Sequence, residues 1–85
     1  MLKAVQELTN NYLEGNKKIG NHKRVINNKD NSIDFIYHST IICKLFPSFK
    51  KIIINNGGWN TPSTTRAINS YKEIFNNYEV IDLRK

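Results

Sequence analysis

The segment Asn55-Asn56-Gly57-Gly58-Trp59-Asn60-Thr61-Pro62-Ser63-Thr64-Thr65-Arg66 gathers the residue types best able to recognise a ligand. Gly57 and Gly58 let backbone N–H groups approach closely, and Ser63, Thr64 and Arg66 add hydroxyls and a cation at the start of a helix, a combination suited to phosphate. Asn69 lies one turn further on. Trp59 offers a ring face for a base or a partner. The segment lacks the Gly-Lys-Ser/Thr of a P-loop and the three-glycine dinucleotide fingerprint. The same residues also have a structural reading, in which the glycines turn the chain, Thr61 and Ser63 cap the helix and Trp59 closes the core.

The net charge of +6 draws anionic partners. Lys17, Lys18, Lys23, Arg24 and Lys29 cluster in the first third, and Lys50 and Lys51 follow Pro47. They form a nucleic-acid surface only if folding brings the two groups together; otherwise they are solvated faces. Asn, Ile and Lys are all abundant, as in AT-rich coding sequences, which lowers the weight of charge alone. His22 and His38 have no Cys or carboxylate at metal spacing, no serine sits in a Gly-x-Ser-x-Gly elbow, and no carboxylate pair divides acid and base work. The expectation is a protein that is not an enzyme and needs no metal or cofactor. Cys43 is expected to be a small core residue rather than a reactive thiol.

Local signals then assign the elements. Leu2, Val5, Leu8, Tyr12 and Leu13 recur at helical spacing before Gly15, predicting a helix over residues 2–14. Lys17 and Lys18 fall on a loop, and a short strand covers Lys23 to Asn27. Ile33, Phe35, Tyr37, Ile41, Cys43 and Leu45 alternate with Asp34, His38, Thr40 and Lys44, either as one strand bent at His38 and Ser39 or as a tight hairpin there. Phe46 to Phe49 turn at Pro47, and Lys50 to Ile54 form a buried strand. Thr61 is the predicted N-cap and Pro62 the first residue of a helix over 62–76, whose stripe is Ala67, Ile68, Tyr71, Ile74 and Phe75. Tyr78 to Leu83 read as a charged edge strand. The expected fold is α+β: a single domain over 1–85, with an N-terminal helix, an antiparallel β-sheet of three to five strands over 20–83, and one main helix packed on the sheet. So short a chain buries only about 60 per cent of its unfolded surface, so homo-oligomerisation would add stability. No apolar run reaches the ~20 residues of a membrane span and the first residues lack a signal-peptide core, so a soluble chain with no membrane partner is expected.

The Gly57-Gly58-Trp59-x-Thr61-x-Ser63-Thr64 stretch leading to Ile68 and Asn69 resembles a family of small, mostly phage-encoded domains of unknown function. The resemblance extends upstream to Gly20 and Asn21 and to His38, Thr40 and Ile42, and covers about residues 20–75. One departure is Ala67, where the family has a basic residue; here Arg66 stands one position earlier. The resemblance implies a phage or prophage accessory protein acting in the host cell cytoplasm. With the small size and missing catalytic chemistry, the leading expectation is an inhibitor that binds a host defence protein or ribonucleoprotein complex, of the anti-CRISPR kind. The alternatives are a direct nucleic-acid-binding protein using its basic surface, and a sponge for a small anionic nucleotide messenger at the mouth between Gly57 and Arg66.

Overall fold

In the computed structural model, residues 2–10, 12, 14–27 and 29–84 are described. The element order is α1 (Lys3–Thr9), β1 (Lys17–Ile19), β2 (His22–Asn27), β3 (Ser32–Tyr37), β4 (Thr40–Phe46), a 3-10 turn (Pro47–Phe49), β5 (Lys51–Ile54), α2 (Pro62–Ile74) and β6 (Glu79–Asp82). The fold is α+β, with the strands in one six-stranded mixed sheet of order β1-β2-β3-β4-β5-β6. Positive φ marks its turns: Gly20 at +58° between β1 and β2, Asn31 at +60° before β3, His38 at +58° between β3 and β4, and Lys50 at +48° before β5. Residues 38 and 39 are therefore a tight hairpin, which decides between the two sequence readings.

Three expectations are corrected. The sheet has six strands rather than three to five, because Lys17–Ile19, read as loop, pairs antiparallel with β2, setting Lys17 opposite Arg24 and Ile19 opposite His22. It is not wholly antiparallel. β6 pairs parallel with β5, Ile52 opposite Val80 and Ile53 opposite Ile81, because α2 returns the chain to the end of the sheet where β5 began. Helix α1 stops at Thr9 instead of continuing to residue 14, and α2 stops at Ile74 instead of 76. Residues 11 and 13 lie outside the described part.

The early stop of α1 has a physical cause. Thr9 Oγ1 donates to the carbonyls of Val5 and Gln6, at 3.0 Å each. Arg24, assigned from sequence to a basic surface, is only 4% exposed. Its Nη1 donates to Leu8 O at 2.6 Å and Asn10 O at 3.3 Å, and its Nε donates to Gly15 O at 2.9 Å. A guanidinium thus satisfies carbonyls that a helix end leaves open, with charge of the favourable sign.

The core draws on both helices and the central strands. Val5 and Leu8 of α1 join Ile33 and Phe35 of β3, Ile42, Cys43 and Leu45 of β4, Ile52 and Ile54 of β5, and Ala67, Ile68, Tyr71 and Phe75. The Phe35 ring lies 4.7 Å from Tyr71 and 6.0 Å from Phe75, centroid to centroid. Cys43 is buried, and burial pushes its thiol far up from the ordinary value, so it stays protonated and packs as a small apolar residue. No helix among the described residues is long and apolar enough to cross a membrane.

Arg24→Ala is expected to destabilise the chain by about 3 kcal/mol in urea unfolding, since buried carbonyls lose a charged donor, whereas Lys17→Ala should stay within about 0.5 kcal/mol. Equal losses for the two variants would remove Arg24 from this role.

Candidate binding cleft

A β-bulge decides which side chains reach the site. Phe35 pairs with Cys43 and Ile36 with Ile41, which leaves Ile42 as an extra residue in β4. Ile42 and Cys43 are consequently buried in succession, while Ile41 is 43% exposed. The sequence alternation had placed Ile41 with Cys43 and Leu45. The bulge reverses that phase on the N-terminal side of Cys43, so that Thr40, opposite Tyr37, shares the face of Ile42.

The turn after β5 closes onto this hairpin. Asn55 N donates to Ile42 O at 3.1 Å, and the chain then reverses through Gly57 at φ +60° and Gly58 at φ +88°. A Cβ on Gly57 would stand 2.6 Å from Thr40 Cγ2. Only glycine permits that approach. Thr61 caps α2: its Oγ1 accepts from Thr64 N at 3.3 Å and donates to Thr64 Oγ1 at 2.9 Å.

Between hairpin and helix lies a cleft of about 340 Å³. Tyr37, His38, Ser39, Thr40 and Ile42 form one wall, and Asn56, Trp59, Thr61, Ser63 and Thr64 the other. Trp59 is 63% exposed at the cleft rather than a lid buried in the core. The segments around His38 and around Trp59, 21 positions apart in the chain, thus meet at one place. The Tyr37 ring lies 4.6 Å from that of His22 and 4.4 Å from that of His38, centroid to centroid. The His22 Nδ1 is buried without a hydrogen-bond partner among the described residues. Desolvation holds the His22 pKa below its ordinary value, and the nearby His38 adds to the effect.

The remaining sequence candidates disperse. The N–H groups of Gly57 and Gly58 are occupied by Asn55 Oδ1 at 3.0 Å and Asn56 Oδ1 at 2.9 Å, so the turn satisfies its own donors. Arg66 and Asn69 line a separate groove along α2 with Asn60, Pro62 and Glu73, and Arg66 does not line the cleft. Lys18 and Lys23 are paired on β1 and β2. Lys51 is separated from them by β3 and β4 and lies 3.7 Å from Glu79. At about 4.8 Å per strand, Lys23 and Lys51 are roughly 14 Å apart across the sheet before any displacement along the strands. Lys29 and Lys50 sit in turns at the β5-start end, and Arg24 is internal, so the basic positions do not form one patch.

Sequence reasoning missed Tyr37, His38, Ser39, Thr40, Ile42 and Asn56 as cleft residues. The signal for Tyr37 was its in-phase position beside His38; the bulge that brings in Thr40 and Ile42 has no marker in the residue types. Fold and cleft together define a small α+β domain. No protein-family model, curated protein or solved structure matches the chain.

Gly57→Ala is expected to cost about 2–4 kcal/mol by combining positive-φ strain with the collision at Thr40, while Gly58→Ala, which meets no atom within 4 Å, should cost only about 1–2 kcal/mol. Adding Thr40→Ser to Gly57→Ala should recover part of the loss in urea unfolding; no recovery would remove the contact as its cause. A second expectation concerns pH. Because the folded chain holds His22 below the ordinary histidine value of about 6.5, the unfolded chain takes up the proton first as pH falls through that value. The contribution of His22 is present above it and is lost downward towards the lower folded value. Stability should therefore decline less in His22→Phe than in the parent between about pH 7.5 and about pH 5, and identical profiles would refute the assignment.

Proposed function

We propose that the chain is a non-enzymatic accessory protein of the phage-encoded kind that binds and inhibits a host defence protein or ribonucleoprotein complex, with the cleft around Trp59 as its working surface. The observation that carries this reading is the exposure of Trp59 beside a concave, largely apolar cleft. A tryptophan left in water next to a pocket contributes little to its own fold and much to an interface, where large rigid side chains dominate the binding energy. The phage-family resemblance supports the biological context, since the His38 and Trp59 segments that carry it converge there. The dispersal of the lysines favours this reading over binding nucleic acid through a basic surface.

The test is interference in a living host. Expression of the chain in cells carrying the relevant defence system is expected to raise phage plating at least severalfold. Trp59→Ala should abolish the effect with the fold intact by circular dichroism, while Phe49→Ser, an exposed residue at the other end of the sheet, should leave it unchanged. Equal plating with and without the chain across defence types, or full activity of Trp59→Ala, would overturn the reading.

A further inference from the structure

We propose that the cleft binds an uncharged planar heteroaromatic ring, the base of a nucleoside or of an unpaired nucleotide in a strand. This rests on the cleft being the working surface and is separable from the host-defence context. The first argument is shape. Tyr37, His38 and Trp59 bring aromatic rings to a cleft of about 340 Å³ that Ile42 also lines, and ring faces of this kind stack on bases of any sequence.

The second argument is an unmet donor. Asn56 is only 8% exposed and lines the cleft. Its Oδ1 accepts from Gly58 N at 2.9 Å, which fixes the orientation of the amide and makes the other end Nδ2. That NH₂ makes no hydrogen bond to protein among the described residues and is not closed off from water, so it is free to meet a ligand. A purely hydrocarbon ring, such as a phenylalanine side chain of a partner, would bury this donor against carbon at a cost in affinity. A base carries ring nitrogens or carbonyl oxygens at its edge and can accept from it. The hydroxyls of Ser39, Thr40 and Ser63, able to donate or accept, line the same cleft.

The third argument is charge. No lysine or arginine lines the cleft, and Arg66 opens into a different groove. A phosphate would find no cation there, so recognition falls on the base and not on the backbone. The affinity should therefore be nearly independent of salt, the opposite of binding through phosphate contacts.

Calorimetric titration of the full chain with adenosine, guanosine, cytidine and uridine, and with single-stranded oligonucleotides of mixed sequence, tests this. The expected result is saturable binding of at least one probe, with affinity changing less than about twofold between roughly 50 and 200 mM salt. Saturation by a free nucleoside identifies a soluble ligand as the source, and saturation by oligonucleotides alone identifies an unpaired nucleotide. Asn56→Asp keeps the oxygen that Gly58 N requires and replaces the donor by an acceptor; it should weaken binding at least about tenfold. Trp59→Ala, at an exposed position, should do the same and carries the test if Asn56→Asp fails to fold. No saturation by any probe up to about 5 mM, or binding that both variants leave unchanged, or a steep loss of affinity with salt, overturns the proposal. Failure here with restored phage plating would leave the inhibitor reading standing and remove only the base.

Discussion

The cleft depends on one contact between backbone and side chain, Gly57 against Thr40. Residues 55–60 have to pass over the β3–β4 hairpin to deliver the chain to the start of α2, and any side chain at position 57 would hold them off. Thr40 faces that passage only because the extra residue at Ile42 rotates the strand by one position. Bulge and glycine are thus two halves of one arrangement: the first presents a small β-branched side chain, the second lets backbone lie on it. Asn55 and Asn56 then close the turn with their own side chains, so that it keeps its shape without a ligand.

At the other end of the helical layer, Arg24 binds three carbonyls spread over residues 8 to 15 and so joins α1, the following loop and β2. The guanidinium suits this work because its donors diverge in a plane, which the ammonium of a lysine cannot match. The positive charge of the chain is consequently divided. One arginine is internal and structural, while the lysines spread over separate strands and turns, some of them beside carboxylates, as Lys44 is beside Asp34 at 3.6 Å.

Much of the architecture was legible where residue types act locally. Thr61 and Pro62 mark the start of α2 and act there as cap and first residue, the stripe from Ala67 to Phe75 turns inward, and the isoleucines of β5 are central. What was not legible depends on partners distant in sequence. β1 has no alternating pattern because it is an edge strand three residues long, and its existence follows from pairing with β2. The end of α1 depends on an arginine fourteen or more positions away, and the parallel sense of β6 on how α2 crosses. For the site, Trp59, Thr61, Ser63 and Thr64 were identified from residue type, but their assignment to one mouth with Arg66 was not upheld, since a helix points neighbouring residues to different sides.

The strand order has a further consequence for how the molecule comes into being. Strands β1 to β5 are each beside the one before, so every pairing up to that point closes a short loop, and only β6 must wait for a helix to be made. A nascent chain leaving the ribosome can therefore assemble most of the sheet in the order of translation, with both walls of the cleft synthesised before its last strand emerges.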